Sequence, residues 1–413
     1  MNRVPKLRFK EFSEEWEEKK LGEIFDVITD FVAAGSFATI RENVNYITND
    51  IGYAQLIRTT DLKYKFENLD KIYVDEKAFN FLYRVNLDKE CIILPNIGAN
   101  IGESYYIQPN IFKEKNNVLG PNAILIRSNK NNNKFLINFF ERKEYNKQLK
   151  IISGASGQPK FNKTDLKKFI FYIPVLQEQQ KIADFLSSVD KKISIIEEKL
   201  DLFKDYKKGI MQKIFKQELR FKDSNGNDYP EWEEKRLGDV FSFKQGYQIP
   251  FKEQIKIKEK GYVRYLYISD FFSDKNLLYV KDDGKEKITE TDITVANTGN
   301  TAGSFYRGKS GILSNNMFNI QNDEKVVTND FLFQFLGTSL YSNQLKTFFN
   351  SSGQPHLGHK NMSMIIINYP VSFEEQQKIA NFLSSIDKKN DNLATELENL
   401  KEFKKGLLQQ MFI

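Results

Sequence analysis

The chain has 413 residues, of which 40% are hydrophobic. This length exceeds the size at which one hydrophobic core keeps growing, so at least two domains are expected. Lys and Arg number 61 against 55 Asp and Glu, and the resulting net charge of +6 is far below that of a histone-like binder. The charge is compatible with a nucleic-acid partner but does not single one out.

Targeting signals and disulfides are not predicted. No charged segment followed by an apolar one opens the sequence at Met1, and the apolar stretch from Met362 to Val371 is too short to cross a bilayer. We therefore expect a soluble, cytoplasmic protein without a membrane partner. Cys91 is the only cysteine, which excludes an internal disulfide and a thiolate metal cage, and we expect it to be a small buried residue.

The sequence contains an internal duplication. Each copy begins with the same short phrases, diverges in the middle and closes with a further matched phrase. The matched phrases are LRFK at Leu7 and Leu219, EWEEKKLGEIF at Glu15 and EWEEKRLGDVF at Glu231, and EQQKIADFLSSVDKK at Glu178 and EQQKIANFLSSIDKK at Glu375. Copies of this length are too long for a solenoid repeat and indicate duplicated domains, each with a fixed frame and a variable middle.

The variable middles are predicted to be mixed α and β. Apolar runs separated by Gly, Asn and Asp turns favour strands at Tyr53–Ile57, Cys91–Leu94, Ala123–Ile126 and Phe169–Ile173. One helix is predicted at Lys134–Lys150, and its copy at Asp330–Phe349. We therefore expect an α+β fold in each middle.

A long helix is predicted at the end of each copy. Apolar residues recur in two rows with alternating steps of four and three, which is the pattern of a coiled-coil seam. The first helix has rows at Ile182, Val189, Ile196, Phe203, Ile210 and at Leu186, Ile193, Leu200, Lys207, Ile214, and the second at Ile379, Ile386, Leu393, Leu400, Leu407 and at Leu383, Asn390, Leu397, Lys404, Met411. About 40 residues give a rod of roughly 60 Å.

Each long helix carries an apolar stripe that needs a partner. We predict that the two helices pair with each other as an antiparallel coiled coil, with the seam residues Lys207, Asn390 and Lys404 helping to fix the register. The alternative is that each helix lies on its own domain. The predicted division is residues 1–175 for recognition domain 1, 176–217 for helix 1, 218–370 for recognition domain 2 and 371–413 for helix 2.

This arrangement resembles the specificity subunits of Type I restriction-modification systems over essentially the whole chain. The resemblance is carried by IPVLQEQQKIADFLSSVDKKI from Ile173 and YPVSFEEQQKIANFLSSIDKKN from Tyr369, by the two WEEK phrases, and by the SGQP turns that end at Pro159 and Pro355. A single occurrence of the EQ-rich segment would be weak evidence for this resemblance. Its occurrence twice, each time before a heptad helix, is specific.

The resemblance implies a protein that reads DNA without acting as an enzyme. Each recognition domain would bind one half of a split, asymmetric target in double-stranded DNA, and the paired helices would set the spacing and dock two methyltransferase subunits. Motor-nuclease subunits would join for cleavage, and no cofactor is expected. The alternative from another class is an interaction scaffold that binds proteins and not DNA.

Two motifs suggest other chemistry. Gly303 to Ser310, GSFYRGKS, satisfies the phosphate-binding-loop pattern, but Gly311 and a strand-like run follow where that loop requires a helix, so a hairpin turn is expected and a nucleotide-cleaving enzyme is the alternative. His356 and His359 form an HxxH pair without a cysteine or a clear acidic third ligand nearby, which favours two ordinary loop residues over a metal site.

Base reading requires side chains that form paired hydrogen bonds with base edges from protruding loops. We expect Arg58 either to read DNA or to pair with Asp61. The candidate DNA-binding residues are Arg58, Thr59, Asn96, Asn100, Gln158 and Lys160 in the first copy and Lys244, Gln245, Tyr247, Gln248, Asn297, Asn300, Arg307, Gln354 and His356 in the second.

Overall fold

The chain forms two compact units in a computed structural model that describes residues 3–67, 70–98, 100–153, 159–349 and 355–413. Unit 1 consists of Met1–Ile196 and Glu396–Ile413, and unit 2 consists of Glu197–Thr395. Each unit is therefore completed by part of a helix that also belongs to the other.

Unit 1 holds the first variable middle. Its strands are β1 (Glu17–Lys20), β2 (Val27–Asp30), β3 (Ala54–Ile57), β4 (Tyr73–Val74), β5 (Cys91–Pro95), β6 (Tyr105–Ile107), β7 (Asn117–Leu119), β8 (Ala123–Arg127) and β9 (Ile170–Ile173). Its shorter helices are α1 (Leu21–Ile24), α2 (Phe37–Asn43), α3 (Thr59–Lys63), α4 (Glu76–Phe81), α5 (Asn133–Phe140), α6 (Lys143–Ser153) and α7 (Lys163–Leu166), and α8 (Leu176–Phe215) begins here.

Three sheets organise unit 1. A four-stranded sheet has the order β2-β8-β5-β6, a three-stranded sheet has the order β4-β3-β7 with β3 and β7 parallel, and β1 pairs with β9. The four-stranded sheet is antiparallel throughout, with Ile92 opposite Ile126 and Ile28 opposite Ile126 on its other side. The side chains of Ile92 and Ile126 are fully buried in the core that contains α5, and those of Ile93 and Leu125 are buried on the opposite face, so both faces of the central strands are covered.

Unit 2 repeats the plan. Its strands are β10 (Trp232–Arg236), β11 (Ser242–Gln245), β12 (Tyr262–Leu266), β13 (Leu278–Lys281), β14 (Ile293–Ala296), β15 (Phe305–Tyr306), β16 (Ile312–Leu313), β17 (Met317–Gln321) and β18 (Ile366–Pro370). Its helices are α9 (Leu237–Val240), α10 (Asn329–Leu336), α11 (Ser339–Phe348), α12 (His359–Ser363) and α13 (Phe373–Met411), the last of which ends in unit 1.

The sheets of unit 2 match those of unit 1 in topology. The four-stranded sheet has the order β11-β17-β14-β15, the three-stranded sheet has the order β13-β12-β16, and β10 pairs with β18. As in unit 1, the only parallel pair of the three-stranded sheet joins its first strand to its last, β12 to β16. The α+β prediction is confirmed, and the duplication read from the matched phrases extends through the divergent middles.

One predicted helix is wrong in each copy. In place of Lys134–Lys150 there are two helices, α5 and α6, and in place of Asp330–Phe349 there are α10 and α11. In the second copy the break has a plain cause, because Gly337 follows α10 and the Thr338 hydroxyl caps α11 by accepting a hydrogen bond from the Tyr341 amide at 3.2 Å. The apolar period continues across the break and so conceals it.

Helices α8 and α13 contact each other in antiparallel orientation within both units. In unit 1, Lys404 of α13 pairs with Asp190 of α8 at 2.8 Å, and in unit 2, Lys207 of α8 pairs with Asp387 of α13 at 2.5 Å. These two ion pairs are the same pair in the two repeats, with the helices exchanged. The predicted antiparallel coiled coil is confirmed, and the lysines of its seam are neutralised across it.

The matched phrases meet in a buried ion pair. In unit 1, Arg8 of LRFK donates through Nε and Nη2 to both carboxylate oxygens of Glu178 of EQQK, at 2.8 and 2.7 Å. In unit 2, Arg220 makes the same two-pronged contact with Glu375 at 3.2 and 2.9 Å. Both carboxylates are completely buried, so the phrases are repeated because they lock the start of each copy to the start of its long helix.

The adjoining glutamines fix the same joint. Gln179 donates to the carbonyl of Pro174 at 2.9 Å, and Gln376 donates to the carbonyl of Pro370 at 2.8 Å. Both side chains are almost fully buried. The EQQ phrase thus closes the junction between the last strand of each recognition domain and the long helix.

Among the described residues, no helix is long and apolar enough to cross a membrane.

Candidate functional site

One edge of the four-stranded sheet gathers the loops of unit 1. Strands β2 and β5 flank β8 and run against it, so both end where β8 begins, with Asp30 opposite Ile124 and Pro95 opposite Ala123. We call the loops that leave this sheet end the loop edge. Loops at strand ends carry function more often than the sheet that positions them.

Candidate residues of the first copy meet at this loop edge. Asn96 follows β5, and its side-chain Nδ2 donates to the carbonyl of Phe161 at 3.0 Å. Next to it Ile97 forms an isolated β-bridge with Lys160, whose side chain is exposed. Asn100 lies in the same turn and accepts a hydrogen bond from the Lys63 ammonium at 3.3 Å. Residues more than 60 positions apart in the sequence, such as Asn96 and Phe161, are therefore in direct contact.

Arg58 and Thr59 follow β3, and their side chains differ in availability. The Arg58 guanidinium donates to Asp61 at 2.8 and 3.0 Å and to the carbonyl of Asp70 at 2.7 Å. The hydrogen bond to Asp61 raises the pKa of Arg58. The alternative that Arg58 pairs with Asp61 is therefore what the structure contains, and Thr59 is the half-buried first residue of α3.

The second copy has the equivalent loop edge. Strands β11 and β14 flank β17 and end together, with Gln245 opposite Phe318 and Ala296 opposite Met317. The side chains of Gln245 and Asn297 both donate to the carbonyl of Asn315, at 2.6 and 3.2 Å. Two candidate residues are thus joined through one backbone oxygen, and their amide groups brace the loops of this edge.

The other candidates of the second copy divide into braced and exposed residues. Tyr247 is braced, because its carbonyl accepts a hydrogen bond from the Tyr265 hydroxyl at 2.6 Å. Lys244, Gln248 and Asn300 are exposed. Lys244 lies in β11, Gln248 in the segment that follows that strand, and Asn300 in the 3-10 turn Gly299–Thr301 after β14.

Lys160 and His356 occupy the same place in the two units. Ile97 bridges Lys160, and Thr298 bridges His356 in the same antiparallel manner. The preceding prolines accept hydrogen bonds from Gly98 and Gly299, both of which have positive φ angles of 93° and 77° that favour glycine. Both Lys160 and His356 are exposed. Gln158 and Gln354, which precede these segments, lie outside the described residues.

Arg307 is not brought to the loop edge. It follows β15, in which Tyr306 is opposite Thr294, so it leaves the sheet toward the start of β14, whereas the loop edge lies at the end of that strand. Its guanidinium pairs with Asp330 at 2.7 Å and lies 3.9 Å from the centre of the Phe333 ring. Arg307 is therefore held within the fold by charge and by cation–π contact.

The phosphate-loop pattern is a connection between two sheets. The strand before it, β15, belongs to the four-stranded sheet, and the strand after it, β16, belongs to the three-stranded sheet. The predicted hairpin is wrong in that respect, because a hairpin would pair these two strands. The Lys309 ammonium pairs with Asp274 at 2.9 Å and lowers the pKa of that carboxyl group. No helix starts at Lys309 or Ser310, as a phosphate cradle would require.

The two histidines differ in environment. His359 begins α12, and its ring lies 4.9 Å from the Phe318 ring in an edge-to-face contact. Burial, and then the nearby His356, lower the pKa of His359. Within the part of the chain that the structure describes, no three His, Cys, Asp or Glu side chains are grouped closely enough to hold a metal ion.

Two exposed phenylalanines were missed by sequence reasoning. Phe37 is the first residue of α2, and Phe251 is the first residue of the 3-10 turn Phe251–Glu253. Each lies in the segment that leaves the loop edge after the first strand of its sheet, and they are 84% and 83% exposed. Phe37 follows the end of β2 by seven residues, and Phe251 follows the end of β11 by six. Both side chains are therefore accessible for contact with a partner.

Comparison with known proteins places these features in a family. The model of the Type I restriction modification DNA specificity domain matches residues 13–203 and 229–402. The Type I restriction enzyme MjaVIII specificity subunit of Methanocaldococcus jannaschii is 33% identical over 210 residues, which are 49% of this chain and 47% of that protein. The putative type I restriction enzyme MjaX specificity subunit of the same organism is 26% identical over 433 residues, 98% of this chain and 94% of that protein.

Two solved structures have a similar fold. The S subunit of a Type I restriction-modification system from M. genitalium superposes with a TM-score of 0.61 at 16% identity, covering 99% of both chains. A chain from a structure described as the basis of complex assembly and conformational transition of the type I R-M system has a TM-score of 0.53 at 14% identity, covering 96% of this chain and 97% of that one. At these identities the likeness concerns the fold alone.

Proposed function

Because this chain belongs to the family of the Type I restriction modification DNA specificity domain, we propose that it selects the DNA target of a Type I restriction-modification complex. Each unit reads one half of a split target in double-stranded DNA. The observation that carries this proposal is the duplicated loop edge, in which one framework presents Lys160 in one unit and His356 in the other. An identical framework with different side chains suits two different half-sites.

The side chains of the loop edge have two roles in this proposal. The exposed residues Lys160, Lys244, Gln248, Asn300 and His356 contact DNA, because their polar groups are free to meet base edges or phosphates. The braced residues hold the loops in position, since their donor groups are already engaged with backbone carbonyls. They are Asn96, Gln245 and Asn297.

Phe37 and Phe251 add an apolar contact to each half-site. An aromatic side chain beside polar readers can pack against a thymine methyl group or a base face in the groove. In unit 2 the segment that begins with Phe251 also carries the exposed residues Lys252, Lys256, Lys258 and Lys260, which suit the phosphate backbone. Apolar and cationic groups thus occur together in the segment that follows β11.

The long helices serve assembly in this proposal. They set the distance between the half-sites and dock two methyltransferase subunits, while motor-nuclease subunits join for cleavage. The same Lys–Asp pair occurs between α8 and α13 in each unit, and a surface that is present twice suits two copies of one partner. The chain itself acts without catalysis, and the modified base is changed by the methyltransferase.

The test is co-expression with the neighbouring methyltransferase, followed by mapping of modified bases across the genome. We expect a split motif that requires this chain. Lys160→Ala or Phe37→Ala should relax one half of the motif, and His356→Ala or Phe251→Ala the other half, with a loss of discrimination of about tenfold at the affected base.

Lys89→Ala is the matched control. Lys89 is also exposed, but it precedes β5 and so lies at the opposite end of the strand that leads to Asn96. It should leave both halves of the motif unchanged. A stable complex that yields no motif would instead favour the interaction scaffold, and relaxation of both halves by one substitution would contradict the assignment of one half to each unit.

A further inference from the structure

A groove lies in unit 2 beside the C-terminal end of α8. It has a volume of about 620 Å³ and lies between the last four turns of α8 and the joint of α10 and α11. Its floor is apolar and includes Met211, Phe215 and Phe305. Its rim includes the exposed lysines Lys204, Lys208 and Lys216. We call it the lysine groove.

The equivalent place in unit 1 is partly occupied by side chains of the chain itself, and the cavity that remains there, of about 540 Å³, is lined by residues that include Ser104, Phe140 and Glu141. Where unit 2 has Gly337 and Thr338, unit 1 has Glu141 and Arg142 at the joint of α5 and α6. Arg142 donates to the carbonyl of Ile413 at 2.7 Å and lies 5.5 Å from the centre of the Phe412 ring. Arg142 is buried, and its burial lowers the pKa of the guanidinium.

The two units also differ in how their seam lysine is neutralised. In unit 1, Lys404 contacts two carboxylates, Asp190 at 2.8 Å and Glu141 at 2.9 Å. In unit 2, the equivalent Lys207 contacts Asp387, and the position of the second carboxylate is held by Gly337, which has no side chain. Glu141 of unit 1 therefore shows that a carboxylate fits at this position of the shared framework.

Charge in the lysine groove is only partly compensated. Lys204 is 3.7 Å from Asp201, and Lys216 is 4.0 Å from Glu218, both of which are exposed surface pairs that contribute little. For Lys208 no ion pair occurs among the described residues. An apolar floor under a cationic rim is complementary to a segment that presents apolar and acidic side chains together.

We propose that the lysine groove docks a segment of a partner protein that carries a carboxylate beside an apolar side chain. The carboxylate takes the place that Glu141 occupies in unit 1 and pairs with Lys207, while the apolar side chain covers Met211 and Phe305. In unit 1 the carboxylate of Glu141 already pairs with Lys404, so the proposal concerns unit 2. The inference does not depend on the proposed DNA function.

The variant that tests this transfers the unit 1 residues to unit 2. In Gly337→Glu/Thr338→Arg the new side chains should occupy part of the groove as Glu141 and Arg142 do. A Cβ at residue 337 would lie 3.3 Å from the backbone oxygen of Gln334, which is a tight contact, and 3.4 Å from the Met211 methyl and 3.8 Å from Phe305 in the groove. The backbone of Gly337 has a helical φ of −79°, so the substitution does not strain the backbone.

The probe is a pair of fluorescein-labelled peptides, one alternating glutamate with leucine and phenylalanine and the other with each glutamate replaced by glutamine. Fluorescence anisotropy with the full chain should give binding of the acidic peptide at least tenfold tighter than that of the neutral one. The double variant should lose at least tenfold in affinity, and so should Lys208→Glu, which alters an exposed rim residue and so does not depend on repacking the groove.

Three results would overturn the proposal. They are equal binding of the two peptides, unchanged binding by both variants, and no binding up to about 1 mM peptide. Competition by a 20-base-pair duplex to the same extent as by unlabelled peptide would assign the lysines to phosphate binding instead. Genome-wide motif mapping is a separate readout, so failure of the groove leaves the DNA proposal standing.

Discussion

Phe412 provides a test of how the end of α13 completes unit 1; we call this arrangement, which α8 repeats in unit 2, the exchange of helix ends. It follows the last turn of α13, most of which belongs to unit 2, yet its ring lies in the core of unit 1. There it stacks on Phe135 with a centroid distance of 5.2 Å and meets Trp16 and Phe139 edge-on at 5.8 and 5.4 Å. Only 4% of its surface is exposed. Phe412→Ala should therefore destabilise unit 1, although the chain reaches this residue through unit 2.

The magnitude follows from burial. Replacing a buried phenylalanine by alanine costs about 3–5 kcal/mol through lost apolar transfer and the remaining cavity. Each lost aromatic pair accounts for about 0.5–1.5 kcal/mol beyond its buried area. A loss of about 4 kcal/mol would increase the opening equilibrium of unit 1 by roughly a thousandfold, since 1.4 kcal/mol is a factor of ten.

Hydrogen exchange measured by mass spectrometry can assign that loss to one unit. Amides of β5 and β8 should exchange about two to three orders of magnitude faster in Phe412→Ala, while those of β14 and β17 keep their rates. Phe215→Ala is the matched variant, because Phe215 packs on Phe331 and Phe335 in unit 2 at the end of α8. It should give the opposite pattern. Acceleration in the same unit by both variants would refute the reasoning.

Three further expectations concern the frame of the molecule. Glu178→Ala should lower the free energy of unfolding in urea by about 3–5 kcal/mol, because it leaves Arg8 buried and unpaired. Glu375→Ala should lower it by less, because its partner Arg220 is more exposed. Equal losses in the two variants would contradict this reasoning. Burial raises the pKa of the Cys91 thiol from 9.0 to about 12, so the native chain should resist a thiol reagent at pH 8 until it is unfolded. Because the thiol ionises more readily in the unfolded chain, it should also reduce the stability of the fold as the pH rises from about 9 to 12. Rapid labelling of the native chain would contradict this expectation. Four residues inserted after Ile196, about one helical turn, should lengthen or abolish the permitted spacer of the target, and an unchanged motif would refute the proposed spacing role.

The frame was largely predictable because it depends on periodic and repeated sequence. The heptad rows predict both long helices, which occupy Leu176–Phe215 and Phe373–Met411. The pairing of Arg8 with Glu178 was not predictable, since nothing local indicates which residue a charge 170 positions away will meet. The division of the predicted middle helix was also missed, because a cap and a glycine interrupt the backbone without interrupting the apolar period.

The candidate site was predictable as a set of loops but not as a set of contacts. Residues chosen because they follow strand ends, such as Asn96 and Asn297, do lie at the loop edge. Their availability depends on tertiary hydrogen bonds that the sequence does not reveal. Arg307 was placed by its polar type alone, and the sheet register directs it away from that edge. Whether the candidate residues bind DNA stays a prediction.

The exchange of helix ends has a consequence for biosynthesis. The core of unit 1 includes Trp16 and Phe135 early in the chain and Leu407, Leu408 and Phe412, which lie more than 270 residues after Phe135. At about 5–20 residues per second, the ribosome needs roughly 10 to 40 s to proceed from the end of the first part of unit 1 to its second part. Unit 2 requires nothing beyond Thr395. The domain that is translated first is therefore the last whose apolar surface is covered, and slower translation would lengthen the interval in which that surface is exposed to other nascent chains.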